Sequence, residues 1–289
     1  MKYLVVKGWL GFGDRLESLK MCVKYALDHK LQIYVDWTDS IWCHEKESFY
    51  SYFSLVNMPV LQSLDDIPSD CSFYPPYWKE HLKEPMSNEL CARQKELNLN
   101  IGFLNKPIQA DVIVYSCIGN RILFSEHSFF TNVFRVIHPA IVQEVKDRQQ
   151  KYNLSKCMGV HIRGTDRITR KRGRDIPVQY MVVSAVQTGA FNGKPMVAIS
   201  DDPASAQIWK NYFPQTAMLS KLSLQNSFRG GNHNASKEIL QTTKDIMNID
   251  MLIDFFTLAS CEQLKTTYND SRFFQEAQRL KPYIQQILS

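Results

Sequence analysis

The run Gly159-Val160-His161-Ile162-Arg163-Gly164-Thr165-Asp166-Arg167 holds the densest chemistry in this chain. An apolar stretch, Met158 to Ile162, delivers a histidine, an arginine, a Gly-Thr pair and an Asp-Arg pair to a predicted strand end. In open α/β sheets, ligands bind beyond the carboxyl ends of the strands. A guanidinium placed there is a planar, permanently charged fork that suits phosphate oxygens. Strand alternation puts His161 and Arg163 on one face. Arg163 could then neutralise a departing diphosphate, the largest electrostatic demand of glycosyl or phosphoryl transfer. Asp166 would orient Arg163 or cap the next turn. His161 reads either as a pocket residue or as a satisfied core histidine.

Four other loops carry related signals. Gly8-Trp9-Leu10-Gly11-Phe12-Gly13-Asp14-Arg15 joins a predicted strand to a helix, where loop amides can hold an anion. Its spacing is not G-x-G-x-x-G, so it is no dinucleotide fingerprint. Ser200-Asp201-Asp202 ends a strand; one carboxylate could contact a base or ribose, or cap a helix. Asp250 and Asp254 stand one helical turn apart and share a face. Thr267-Tyr268-Asn269-Asp270-Ser271 bridges the last strand and the last helix, again a helix N-terminus that suits phosphate. Arg167, Arg170, Lys171, Arg172 and Arg174 form a basic run that reads first as a solvated loop. P-loop, G-x-S-x-G, H-E-x-x-H and D-x-D motifs and a clustered His/Cys set are all missing, so no metal is expected and the arginines would take its electrostatic role.

The elements that must position these loops form two α/β units. The first has strand 3–7, a helix over 15–29 and strand 31–35 ending at Asp36, a β-loop-α-β start. Residues 37–105 mix aromatics with prolines and read as short helices and loops. Strand 111–116 and helical stretches 129–134 and 139–151 follow. The second unit has strand 157–162, helix 177–190, strand 195–200, a helix to about residue 212 and a short strand 217–220. A loop over 223–236, helix 237–259, strand 263–267 and helix 272–287 complete it. The boundary is expected near residue 150, giving domains 1–150 and 151–289. The chain has 289 residues, 44% hydrophobic and 22% charged, which excludes disordered and collagen-like classes. A net charge of +5 fits an anionic substrate but does not by itself argue for nucleic acid. Seven scattered cysteines read as reduced thiols, and with no signal peptide or membrane span evident, a cytoplasmic protein is expected.

Taken in chain order, Gly11-Phe-Gly-Asp-Arg-Leu16, His161-Ile-Arg-Gly-Thr-Asp-Arg167, Ile199-Ser-Asp-Asp-Pro203 and Asp254 to Ser271 resemble the α-1,6-fucosyltransferase and protein O-fucosyltransferase superfamily, nearest in size to its rhizobial nodulation type. The resemblance implies a GT-B fold of two Rossmann-like domains facing a cleft, the first on the acceptor side and the second on the donor side. It implies a metal-independent, inverting transfer of fucose from GDP-fucose to a hydroxyl of a glycan or lipid-linked oligosaccharide, with no cofactor beyond the donor and no nucleic-acid partner. Arg163 resembles the arginine that assists departure of GDP, and His161 its neighbour in the pocket. Asp202 and Asp254 resemble nucleotide-side residues, Asp254 the carboxylate that holds guanine. Thr267, Asn269, Asp270 and Ser271 resemble the phosphate-side loop. Gly11, Gly13 and Asp14 match the N-terminal turn that faces the donor and the acceptor, with Gly11 and Gly13 as donor-binding positions. Gly164 departs from the pattern, standing where a second arginine is usual; Arg167 or Arg229 would supply the missing contact. The glutamate that acts as base in some members has no counterpart, which leaves Asp14, Glu17 and Asp36 as candidates, Asp14 foremost. The alternatives are a transferase for another nucleotide sugar and a non-catalytic nucleotide- or RNA-binding protein.

Overall fold

A computed structural model describes residues 2–102, 104–117, 129–164, 193–221, 236–238 and 242–289. It divides into two compact units: residues 1–138 with 285–289, and residues 139–284. The division thus falls between His138 and Pro139, where the sequence suggested a boundary near residue 150.

In the first unit, β1 (Tyr3–Lys7), α1 (Phe12–His29) and β2 (Gln32–Asp36) form the expected opening. Then come β3 (Phe53–Leu55), β4 (Phe73–Tyr74), α2 (Trp78–His81), α3 (Asn88–Ala92), β5 (Val112–Ser116) and β6 (Phe134–Val136). A parallel sheet runs β2-β1-β5-β4. All residues of β1 and β5 are buried, as continuous apolar runs demand of strands covered on both faces. α1 stops where Lys30 turns left-handed at φ 54° and its amide reaches the carbonyls of Ala26 and Leu27.

β3 and β6 pair antiparallel, Phe53 opposite Val136. The stretch expected to be helical over 129–134 is instead a π-helical turn, Phe129–Val133, and Phe134 begins a strand. The reason is tertiary: Phe134 packs against Phe49, Phe53 and Phe129 at centroid distances of 6.5, 5.0 and 5.3 Å. The aromatics Trp42, Phe49, Tyr52, Phe53 and Trp78 are all buried, so these five rings serve as core, while Tyr74 is exposed.

The second unit contains α4 (Pro139–Tyr152), β7 (Met158–Ile162), β8 (Met196–Ser200), α5 (Pro203–Tyr212), β9 (Ala217–Met218), α6 (Lys244–Ala259), β10 (Gln263–Thr266) and α7 (Arg272–Leu280); α8 (Ile284–Ile287) begins at its last residue and belongs from Gln285 onward to the first unit. The sheet of the second unit is again parallel, ordered β10-β7-β8-β9. Met158, Val160 and Ile162 present one face of β7 to a cluster with Met196, Ala198, Trp209 and Phe213.

Two helices differ from expectation. α6 begins at Lys244 and not at 237, because the Thr243 hydroxyl accepts from the Ile246 amide and caps it there. The last helix breaks after Leu280 into a 3₁₀ turn over Lys281–Tyr283, where Pro282 has no amide to continue the ladder. The helix expected over 177–190 lies outside the described residues, as does all of the 223–236 loop except Ser236.

Candidate functional site

Parallel strands send all their carboxyl ends to one edge, and in the second unit that edge gathers most of the predicted residues. β7 ends at Ile162, and Arg163 and Gly164 follow directly. Arg163 Nη1 makes an ion pair with Asp201 Oδ2 at 2.6 Å, both side chains about four-fifths buried. The other oxygen of Asp201 accepts from the Gly164 amide at 2.6 Å. From the neighbouring strand, the Thr267 hydroxyl accepts from the Arg163 amide at 2.8 Å, and the Thr267 amide donates to the His161 carbonyl at 3.0 Å. Arg163 is therefore braced through its guanidinium and its backbone. Asp201 performs the orienting role that the sequence offered to Asp166, which lies outside the described residues along with Arg167, Arg170, Lys171, Arg172, Arg174 and Arg229. The adjacent carboxylates of Ser200-Asp201-Asp202 were the available signal, but spacing could not say which one turns toward Arg163.

Asp202 takes the capping alternative. Its Oδ2 accepts from the Ser205 amide at 2.7 Å, and Pro203 opens α5 behind it. It also explains Gly164: a Cβ at 164 would stand 2.1 Å from Asp202 Cβ, so no side chain fits there.

His161 is 4% exposed, with Nδ1 3.1 Å from the Thr266 hydroxyl and its ring stacked on Phe273 and Phe274. Burial and then the Arg163 charge pull its pKa down to about 3, so the ring stays neutral at ordinary pH. It fills the strand end from the inside. On the other flank, Ser271 caps α7 by accepting from the Phe274 amide at 3.4 Å. The Asn269 carbonyl accepts from Gln275 Nε2, and Asp270 is exposed. Thr267 and Ser271 are thus buried ahead of α7, Thr267 against the Arg163 backbone and Ser271 as the helix cap.

Asp254 lies deeper. Its Oδ1 accepts from Arg148 Nη1 at 3.0 Å and its Oδ2 from the Ser220 hydroxyl. Arg148 also reaches Glu144, Thr257 and the Leu219 carbonyl. Burial raises the Asp254 pKa to about 6 against the pull of Ser220 and Arg148. The sequence offered a nucleotide contact or a solvated pair; the side chain is not a solvated one but a node in a largely internal network that also holds Ser220, just past β9.

The carboxyl edge of the first unit is built around Arg15. Its guanidinium makes a two-point pair with Asp39 at 2.8 and 2.6 Å, and Nε donates to the Leu10 carbonyl at 2.9 Å. Trp37 and Trp42 lie 5.4 Å on either count from its Cζ. This plug shapes the turn: Leu10 sits at φ 66°, and a Cβ on Gly8 would meet Arg15 Nη1 at 2.0 Å. Gly11 precedes α1 in extended conformation, Gly13 is buried in its first turn, and Asp14 is half-buried beside it. Asp36 is tied to Lys7 at 2.6 Å and Glu17 is 2% exposed, so of the three candidate bases Asp14 is the one solvent reaches. Among the described residues, no three His, Cys, Asp or Glu side chains are arranged to hold a metal ion.

By sequence, no family model and no curated protein matches this chain. Among solved structures, it is similar to NodZ alpha-1,6-fucosyltransferase soaked with GDP-fucose, at 19% identity and TM-score 0.67, with 98% of this chain and 94% of that chain covered. Fucosyltransferase NodZ from Bradyrhizobium gives 18% identity and TM-score 0.68 over the same shares. POFUT1 in complex with GDP-fucose gives 11% identity and TM-score 0.55, covering 98% of this chain and 95% of that one. The chain therefore has the GT-B fold that these structures share.

Proposed function

We propose that this chain is an inverting fucosyltransferase that moves fucose from GDP-fucose to a hydroxyl of a glycan or lipid-linked oligosaccharide acceptor. The observation that carries the reading is Arg163, held at the carboxyl end of β7 by Asp201 and by the Thr267 hydroxyl. A guanidinium fixed in advance stabilises charge as it develops on a leaving diphosphate without reorganising during the step. Thr267 and Ser271 support it as a phosphate-side loop at the head of α7, with Asn269 and Asp270 between them. Gly11, Gly13 and Asp14 belong to the carboxyl edge of the first unit, where we assign the two glycines to the donor and Asp14 to the acceptor hydroxyl. Asp202 and Asp254 support the nucleotide pocket by fixing the ends of β8 and β9 rather than by exposing free carboxylates. His161 backs the pocket as a neutral ring.

The fold similarity supports the donor, since NodZ and POFUT1 are described with GDP-fucose. All seven cysteines are free, which fits the reducing compartment we assign, the cytoplasm. No helix of the described residues is long and apolar enough to cross a membrane.

The test is calorimetry with GDP and UDP, followed by GDP-fucose with a glycan array and product linkage analysis. Binding of GDP over UDP and array fucosylation are expected. Arg163→Ala should lower turnover about 10²-fold or more, the scale of removing one charge-stabilising donor. Near-normal turnover in that variant refutes the assignment of Arg163, and preference for UDP refutes the donor.

A further inference from the structure

Lys7 ends β1 and Asp36 ends β2, side by side in the sheet. Lys7 is fully buried. An ammonium has three N–H donors, and here all three are used. One goes to Asp36 Oδ2 at 2.6 Å, and the others go to the backbone carbonyls of Leu82 and Glu84 at 2.5 and 2.9 Å. The Thr38 hydroxyl donates to the second oxygen of Asp36. Leu82 and Glu84 belong to a stretch without regular structure, between the end of α2 at His81 and the start of α3 at Asn88. Among the described residues, the Lys7 bonds are the only hydrogen bonds that join the backbone of residues 82–86 to distant parts of the chain.

The other contacts of this stretch are apolar, local or exposed. Leu82 and Met86 rest on the cluster that includes Val5, Trp78 and Val114. Glu84 bonds to Tyr77 and His81, its own neighbours in sequence. Lys83 pairs with Asp65, but both side chains are exposed, and such pairs hold little. Two polar groups beside Lys7 are buried with no hydrogen-bond partner among the described residues. They are Trp78 Nε1, whose ring centroid lies 5.0 Å from the ammonium, and Ser116 Oγ, on the residue in register with Lys7. Burying a polar group unpaired costs free energy that contact with water recovers. Closure is therefore opposed by two unpaired groups and held by one ammonium, whose own burial is tolerable because it is paired and hydrogen-bonded. Segments that open locally are drawn from such weakly held parts of a fold.

We propose that residues 82–86 are a strap at the carboxyl ends of β1 and β2, latched by Lys7, and that the strap opens locally while the rest of the first unit stays folded. Ligands of open α/β sheets bind beyond the carboxyl ends of the strands, so the latch governs access to this edge. Opening exchanges the two Lys7–carbonyl bonds for bonds to water and lets water reach Trp78 Nε1 and Ser116 Oγ. Lys7 keeps its pair with Asp36 in both forms, so no charge is stranded. The latch lies wholly within the first unit and operates whichever sugar, nucleotide or acceptor the protein uses.

Limited trypsin digestion of the full chain, with mass spectrometry of the fragments, reads the opening. Cleavage after Lys83 needs the strap to open, whereas cleavage after Lys20, buried in α1, needs the unit to unfold. Where reclosing outpaces cleavage, each rate follows the population of its own open form. In wild type, the bond after Lys83 should be cut ahead of the bond after Lys20. Its rate should also respond more weakly to urea, because less surface is exposed. Lys7→Met removes the latch but strands Asp36; Lys7→Met/Asp36→Leu removes the latch and strands no charge. The double variant should be cut after Lys83 about 10²-fold faster than wild type, the scale of two hydrogen bonds from a charged donor. Leu19→Ala, in the buried face of α1, should speed cleavage after Lys20 and leave cleavage after Lys83 unchanged, since the open strap keeps that packing. Equal Lys83 rates in wild type and the double variant overturn the latch. Equal urea dependence of the two cleavages in wild type, or a Lys83 rate that rises in Leu19→Ala, means that the strap opens only with the whole unit and overturns the local opening.

Discussion

Gly164→Ala tests the tightest packing at the candidate site. The added Cβ would stand 2.1 Å from Asp202 Cβ and 2.7 Å from its Cγ, where real Cβ atoms keep at least 3.0 Å. Because the first obstacle is the Cβ of residue 202, no rotamer change there relieves it; the backbone at one strand end must move. Both ends are already committed. Gly164 donates to Asp201 Oδ1, Asp201 Oδ2 holds Arg163, and Asp202 caps α5. Opening the gap costs about 1–3 kcal/mol as overpacking. Disturbing the cap adds about 0.5–2 kcal/mol. A combined loss of about 1.5–5 kcal/mol lowers Tm by roughly 3–20 °C for a unit of this size. Thermal unfolding reads that term, and calorimetry with GDP reads the displacement of Arg163 as an affinity loss of about tenfold, one lost charge-assisted contact. The double variant Gly164→Ala/Asp202→Gly should recover the packing part, whereas Gly164→Ala/Asp202→Ala should not, because it keeps the clashing atom. A Gly164→Ala protein whose Tm lies within about 1 °C of wild type, with unchanged GDP affinity, refutes the reasoning. The same clash means that Gly164→Arg, which restores the arginine pair of the resembled motif, lowers activity.

Three further outcomes follow from the same geometry. Asp201→Asn keeps the shape but removes the charge beside Arg163, so GDP release from GDP-fucose should slow by about 10 to 100-fold, with stability changed by less than about 1–2 kcal/mol; unaltered kinetics would show that Asp201 does not orient the guanidinium. Asp254 has its folded-state pKa raised to about 6, so its protonated form is favoured by folding, and its contribution is lost as pH rises from about 4 toward 6. The stability of Asp254→Asn relative to wild type should therefore rise by up to about 3 kcal/mol between acid and neutral pH, and a flat difference in urea titrations counts against the shift. Arg15→Leu leaves Asp39 buried without its partner and should cost about 3–5 kcal/mol, while Arg15→Leu/Asp39→Leu regains a large share; equal losses in both would place the cost elsewhere.

The two parallel sheets were legible because their strands are continuous apolar runs bounded by turn residues, as in Tyr3–Lys7, Met158–Ile162 and Met196–Ser200. Arg163 could be read because it directly follows such a run. What was illegible depends on contacts far apart in sequence. β3 and β6 are strands only because they find each other across about eighty residues, so local pattern could not separate Phe134 from the helical turn before it. Asp201 and Asp202 are chemically identical neighbours, and only the fold shows that one faces Arg163 and the other caps α5. The internal network of Asp254 could not be read because its partners, Arg148 and Ser220, come from other elements.

The last five residues group with the first unit although 146 residues of the second intervene, and within that short tail Ile287 and Leu288 are buried. A chain emerging from the ribosome in N-to-C order can finish the second unit while the first still lacks its closing piece. The first fold is then completed only after the whole of the second unit has been made.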